Sequence, residues 1–272
     1  MNERNPQAEQ MGDASMARNL AYQAEAIWPQ ESRLFDRYAL ERRAPRILDL
    51  GCGTGEITRR LAQRYPEAEL VGVDILDGNL AIARRESASF GGRVRYEVGD
   101  AFALACGDAS FDLVVCRHMS QAVPDFRRVF DEITRVLRPG GWLHLVSEDY
   151  GMLHLPRGTR DADRFWIDTV FPYLDGIGCD SRVGRHSWPL FERAGYRDVA
   201  VDYVVVDTLR VPRASFAGIL RSWRDGYAPV LAESSRREID DVRADFDAMI
   251  ASIEDPARYA VWHVPVISGR RA

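Results

Sequence analysis

The chain has 272 residues, 46% of them hydrophobic and 28% charged, ample for one globular core with or without a lid. Its net charge of −5 gives no electrostatic ground for nucleic-acid or membrane binding. With no apolar run long enough to span a bilayer and no N-terminal h-region, the expected setting is the cytoplasm. All basic residues except histidine are arginine, which excludes lysine Schiff-base chemistry, and Cys52, Cys106, Cys116 and Cys179 form no C-x-x-C pair, so neither a metal site nor a disulfide framework is expected.

In chain order, residues 1–13 are polar and read as a flexible N-terminus, and 14–44 as helices outside the core. Strand–helix alternation begins at Pro45. Arg46–Leu50 reads as a strand and Thr54–Tyr65 as a helix; Leu70–Asp74 is a second strand ending in an acid, followed by a helix from Asp77 to about Ala88. Arg93–Val98 and Phe111–Cys116 are the third and fourth strands. Phe126–Leu137 has helical spacing, Arg138-Pro139-Gly140-Gly141 breaks that helix, and Trp142–Ser147 is a fifth strand. A helix over Trp188–Ala194 and strands over Val199–Val206 and Trp262–Gly269 complete the set. This rhythm implies a doubly wound, mostly parallel α/β sheet with ligands at the carboxyl ends of its strands. The expected division is a core over 45–149 and 186–209, lid insertions over 150–185 and 210–258, and a last core strand within 259–272.

The chemistry concentrates at Asp49-Leu50-Gly51-Cys52-Gly53-Thr54-Gly55-Glu56. A buried strand runs into a glycine-rich turn and then a helix start near Thr54. Glycines permit positive φ and close approach of a ligand to the backbone. The dinucleotide fingerprint asks for a small residue at position 56, where Glu56 stands, and Asp49 would repel a pyrophosphate. A carboxylate before the turn suits a positively charged ligand.

This pattern resembles motif I of the class I S-adenosylmethionine (SAM)-dependent methyltransferases. The resemblance implies a Rossmann-like sheet of seven strands, the last antiparallel and placed between the fifth and sixth, under a helical lid. It makes SAM the cofactor and a small molecule the partner, with no nucleic acid and no membrane, in a monomer or homodimer. It also assigns the turn residues Asp49, Gly51, Cys52, Gly53 and Gly55 to the cofactor's methionine part, Asp49 helping to orient the loop and the ammonium. Asp74, about twenty residues past the turn, is placed to accept from both ribose hydroxyls, and Ile75 to pack on adenine. Asp100, Ala101 and Phe102 match the family's adenine-binding turn, although Leu104-Ala105-Cys106 replaces its usual Leu-Pro-Phe.

Beyond the fourth strand, Arg117 is expected to contact the cofactor and His118 to reach both cofactor and substrate, as the histidine best placed for general-base work, since imidazole titrates near neutral pH. The tetrapeptide of DNA adenine methyltransferases is absent there. Upstream, Leu20-Ala21-Tyr22-Gln23-Ala24 is similar to the L-x-x-Q-A helix of several small-molecule methyltransferases, which brings Tyr22 and Gln23 toward the cofactor, and Tyr22 toward the substrate. Glu148-Asp149 after the fifth strand either cap the loop or hold a polar group. Tyr150, Trp166, Tyr173 and Trp223, with Phe216 and Tyr227, suit a pocket for a flat, ring-containing substrate or equally the packing of a lid. The expected reaction is in-line methyl transfer to an O, N or C nucleophile, which needs alignment more than acid–base help. The alternatives are a SAM-binding cyclase or decarboxylase on the same fold, and an NAD-dependent oxidoreductase, against which Asp49 and Glu56 both count.

Overall fold

Strands buried on both faces read as continuous apolar runs, and two such strands form the centre of this sheet. The computed structural model describes residues 4–156 and 158–272. In β1 (Arg46–Leu50) and β4 (Phe111–Arg117) every apolar residue is buried. Their side chains alternate between faces: Ile47, Leu113 and Val115 pack with α3 (Glu56–Arg64) and α4 (Asp77–Glu86), whereas Leu48, Leu50 and Val114 pack with α5 (Phe126–Val136) and α8 (Val183–Arg193).

The sheet is completed by β2 (Glu69–Asp74), β3 (Val94–Val98), β5 (Leu137–Val146), β6 (Leu153–His154), β7 (Arg197–Asp207) and β8 (Val261–Arg270). Strands β3-β2-β1-β4-β5 pair in parallel in that order. β8 runs antiparallel between β5 and β7, as expected. The sheet has eight strands rather than seven because the two-residue β6 pairs with β8 where β5 has ended.

Several boundaries differ from the sequence reading, three of them for a clear local reason. The helix after the glycine turn starts at Glu56, not Thr54, because Gly55 takes φ 75° and occupies the N-cap position. β5 begins at Leu137, which pairs with Phe111 ahead of Pro139. α8 starts at Val183 and carries Pro189 within it.

The lid consists of α1 (Ala8–Met11), α2 (Ala14–Glu31), α6 (Ala162–Phe165), α7 (Phe171–Gly176), α9 (Arg213–Ser235) and α10 (Ile239–Glu254). A π-helical turn over Trp166–Val170 joins α6 to α7. Trp223, Phe216, Leu220, Phe246 and Ile253 of the lid form one cluster with Trp262 and Val264 of β8. α2 also crosses the free edge of β7. The Gln30 side-chain amide donates to the Val205 carbonyl (2.8 Å) and its oxygen accepts from the Val205 N–H (3.2 Å), so one glutamine occupies the backbone groups a neighbouring strand would use. Among the described residues no helix is long and apolar enough to cross a membrane.

Residues 4–13, expected to be flexible, are folded against the lid. Gln7 is buried: its side-chain oxygen accepts from the Tyr227 hydroxyl (2.8 Å), and its amide faces the Gln121 carbonyl (3.4 Å) and Cys179 Sγ (3.5 Å). A polar segment gives no apolar periodicity, so these contacts leave no mark in the sequence pattern.

Candidate active site

The carboxyl ends of β1, β2, β4 and β5 open into a cavity of about 1360 Å³, counting its open mouth, beneath α2, α9 and the π-helical turn.

The glycine turn forms part of its floor. Gly51 (φ 73°) and Gly53 (φ 51°) both line the cavity. A Cβ on Gly53 would come within 2.5 Å of Leu20 Cδ1, because α2 rests directly on the loop. Asp74 ties this turn to β2: one carboxylate oxygen accepts from the Gly53 N–H (2.8 Å) and the other from the Leu76 N–H (2.9 Å). Burial raises its pKa, and these backbone donors oppose the rise. Ile75, Asp100, Ala101 and Phe102 line the same cavity. Asp100 accepts from the Phe102 N–H (2.9 Å) and pairs with Arg4 (2.7 Å), a contact from the N-terminal segment that the sequence did not suggest.

Four residues expected at the cofactor do not line the cavity. Asp49 is buried behind the turn, where it accepts from the Thr58 hydroxyl (2.6 Å); burial raises its pKa to about 6 despite that bond. It therefore anchors α3 to β1. The Cys52 sulfur lies against Gly72 of β2, and Gly55 faces Tyr96 and Ala83. The Tyr22 ring packs on Gly218 of α9. The face of α2 that meets the cavity is Met16, Asn19, Leu20 and Gln23, spaced i, i+3, i+4, i+7, and Tyr22 lies about 100° around the helix from Gln23. Glu56 points along its own helix, paired with Arg59 (2.6 Å) and Arg60 (2.5 Å).

Arg117 and His118 follow β4 and both line the cavity, with different partners. Arg117 makes a bidentate pair with the fully buried Glu31 of α2 (2.8 and 2.7 Å). Glu31 also faces His144 Nε2 (2.9 Å), and the Tyr38 hydroxyl meets His144 Nδ1 (2.6 Å). Burial alone would raise the Glu31 pKa, but the charge of Arg117 and the bond from His144 outweigh it and hold the carboxyl at about 2. Burial lowers the pKa of His144; as a neutral ring it donates from Nε2 to Glu31 and accepts from Tyr38 at Nδ1. The lid helix is thus bolted to β4 and β5 through one buried charge cluster.

His118 faces Glu148. Its Nδ1 is 2.6 Å from Glu148 Oε1, and the Gln23 amide donates to the same oxygen at 3.3 Å. Glu148 is fully buried and lines the cavity; Asp149 turns away, paired with Arg185 (2.5 Å) and capping Gly151. Nothing in the sequence pairs His118 with Glu148; the parallel register Arg117↔Val146 brings them together.

The remaining wall is aromatic. Tyr150 stacks on Trp166 (5.3 Å) and meets Trp223 edge-on (5.4 Å), and Trp166 meets Trp223 at 6.0 Å. Tyr173, Tyr227 and Phe246 line the same space; the sequence pointed to all of these except Phe246. Phe216 lies in the lid core, outside the cavity wall. Burial and the neighbouring Glu148 carboxylate push the Tyr150 pKa well up, so its phenol stays protonated.

These residues fit SAM. Gly51 and Gly53 leave the turn's backbone bare at the cavity, a Cβ there being opposed by Met119 and Leu20, and Asp74, Asp100 and Glu148 supply negative charge to the cavity. Its two arginines, Arg4 and Arg117, are engaged by Asp100 and Glu31, which suits a cationic ligand better than a pyrophosphate.

A family model described as a methyltransferase domain matches residues 47–141. A demethylmenaquinone methyltransferase of Thermus thermophilus is 36% identical over 161 residues, 59% of this chain and 70% of that protein. A ubiquinone biosynthesis O-methyltransferase of Leptothrix cholodnii is 31% identical over 180 residues, 59% of this chain and 76% of that one. Other relatives are matched over about half their length. Among solved structures, the phosphoethanolamine N-methyltransferase 2 of Haemonchus contortus shares the fold at 20% identity and a TM-score of 0.61, covering 100% of this chain and 60% of its own. Taken with the glycine turn and the acids at the ends of β2 and β3, these matches show that the chain belongs to the class I SAM-dependent methyltransferases.

Proposed function

We propose that this small-molecule methyltransferase acts on a hydrophobic, ring-containing acceptor that carries a hydroxyl group. The observation that carries this reading is the continuity of the glycine-floored cavity with the wall of Tyr150, Trp166, Tyr173 and Trp223. Aromatic side chains contribute large apolar contact at low entropy cost and favour flat rings by stacking and edge-on contact. The relatives named for demethylmenaquinone and ubiquinone biosynthesis support acceptors of this kind.

SAM supplies an electrophilic methyl group on a good leaving group, so the protein's task is alignment and exclusion of water. Asp74 serves the ribose, Ile75 and Asp100–Phe102 the adenine, and the Gly51–Gly53 turn with Gln23 the methionine end. His118 takes the proton from an acceptor that arrives as a hydroxyl. The same reading has the protein work in the cytoplasm as a monomer or homodimer, supported by its four unpaired cysteines.

Incubation with methyl-labelled SAM tests this. Reduced demethylated quinones and simple catechols should acquire label, with release of S-adenosylhomocysteine. Label entering only a polar amine such as phosphoethanolamine would overturn the acceptor class, and turnover of a substrate without S-adenosylhomocysteine would overturn methyl transfer itself.

A further inference from the structure

We propose that Glu148 is the positioning residue for His118, and that the pair selects a hydroxyarene that binds with its hydroxyl still protonated. This rests on the cavity being the acceptor site, as argued above.

Burying a carboxylate costs several kcal/mol unless it is well paired. Glu148 is fully buried, and its Oε2 makes no hydrogen bond of ordinary geometry, with the Tyr150 phenol as its neighbouring donor. Its Oε1 is spent on His118 and Gln23. His118 carries a second unusual feature, a backbone φ of 52°. A left-handed conformation at a non-glycine residue costs about 1–2 kcal/mol. The turn is held there by the His118 N–H donating to the Val146 carbonyl (3.1 Å) and by the Gln121 amide donating to the His118 carbonyl (2.8 Å). Two unfavourable elements, a buried carboxylate and a strained turn, are thus maintained side by side in the cavity wall, and together they set one imidazole in one orientation.

The consequence is chemical. A carboxylate can only accept, so the proton on His118 sits at Nδ1 and the lone pair at Nε2. Nε2 is buried without a partner. An acceptor hydroxyl in the aromatic chamber loses its O–H proton to Nε2, and the resulting imidazolium is stabilised by Glu148. The acceptor oxygen, or the ring carbon that its negative charge activates, forms the bond to the methyl carbon while the S–C bond breaks and its electron pair stays on sulfur. In the carbon case the ring C–H proton then passes to water while the oxygen takes back the proton held by His118, and aromaticity returns; in the oxygen case His118 passes its proton to water. The other groups facing the pair do not compete for this proton. Tyr150 and Tyr227 are kept protonated by burial, Arg117 is held by Glu31, and Asp149 by Arg185.

The test has an arm without any acceptor. In the full-length protein, proton NMR should show a strongly downfield Nδ1–H resonance for His118, lost in Glu148→Gln and in His118→Ala. With catechol and SAM at saturation, each variant should lose kcat by roughly 10²–10⁴-fold, and the double variant should be no worse than either single one. The loss should shrink for 4-nitrocatechol, which is already ionised at neutral pH. A resonance that survives Glu148→Gln, single losses that multiply in the double variant, or equal losses on both catechols would overturn the dyad. A wild-type enzyme that shows the resonance but methylates no hydroxyarene would instead overturn the acceptor class and the reading beneath it.

Discussion

Glu31→Ala removes the carboxylate that receives both arms of Arg117 and the Nε2–H of His144. Arg117, whose side chain is only 7% exposed, is then left charged and unpaired. Breaking a buried ion pair from one side costs about 3–5 kcal/mol. The depressed pKa of Glu31, about 2 against 4.5, has the direction that such a stabilised carboxylate requires. Urea unfolding at pH 7 should therefore register a loss of about 3–5 kcal/mol, or a drop in Tm of roughly 6–20 °C. The sign with pH follows from the direction of the shift. A depressed carboxyl stabilises the fold above its unfolded value of 4.5, and that stabilisation is lost as pH falls toward about 2. His144, also depressed, adds to the acid loss from pH 6.5 downward, where the unfolded chain takes up a proton that the native ring resists. Glu31→Ala should accordingly show a flatter stability profile below pH 4.5 than the parent. Replacing both partners (Glu31→Leu with Arg117→Met) should recover most of the loss, since an apolar pair of similar bulk carries no desolvation penalty. A single variant that loses less than about 1 kcal/mol, the scale of an exposed pair, would refute the bolt between lid and sheet.

Three further outcomes are expected. Asp74→Asn keeps one acceptor oxygen of the carboxylate but loses the other, so calorimetry should find SAM affinity reduced by about tenfold or more, the scale of one charge-assisted hydrogen bond; an unchanged Kd would remove Asp74 from the cofactor site. Asp49→Asn should relieve the cost of ionising a buried acid. The native pKa of about 6 lies above the unfolded 3.8, so wild-type stability falls as pH rises through that interval by about 3 kcal/mol, and denaturation curves of the variant should lack that fall. At Gly184, a Cβ would sit 2.5 Å from the Ser147 carbonyl and 3.1 Å from that of Glu148, so Gly184→Ala, outside the cavity lining itself, should displace Glu148 and cut kcat; unaltered kcat would mean that the end of β5 yields freely.

The fold was legible because its signals are local. Apolar strands that end in acids, with a glycine turn after the first, specify a parallel sheet and its active edge without knowledge of long-range contacts, and Asp74 and Asp100 came with them. Residues whose roles depend on orientation were harder to read. Asp49 and Leu50 are neighbours on a strand buried on both faces, and the pleat sends only Leu50 to the cavity. Tyr22 and Gln23 are neighbours on a helix, and a 100° step separates the cavity from the α9 interface. Glu148 needed the register of β4 against β5 to meet His118, and Gln7 needed Tyr227, some two hundred residues away, to become part of the lid. Phe246 of α10 carries no motif; it reaches the cavity wall through the folding of α10 onto α9.

The glutamine that occupies the β7 backbone sits on the same helix that closes the site. Were α2 to lift, Gln30 would leave Val205 and expose a bare strand margin flanked by Val201 and Tyr203, which are 43% and 50% exposed. Such a margin is a template for intermolecular pairing. The expected outcome is a coupling of colloidal behaviour to occupancy: saturation with the methyl donor should slow the growth of light scattering on storage relative to ligand-free protein, and equal rates would separate the β7 margin from the site.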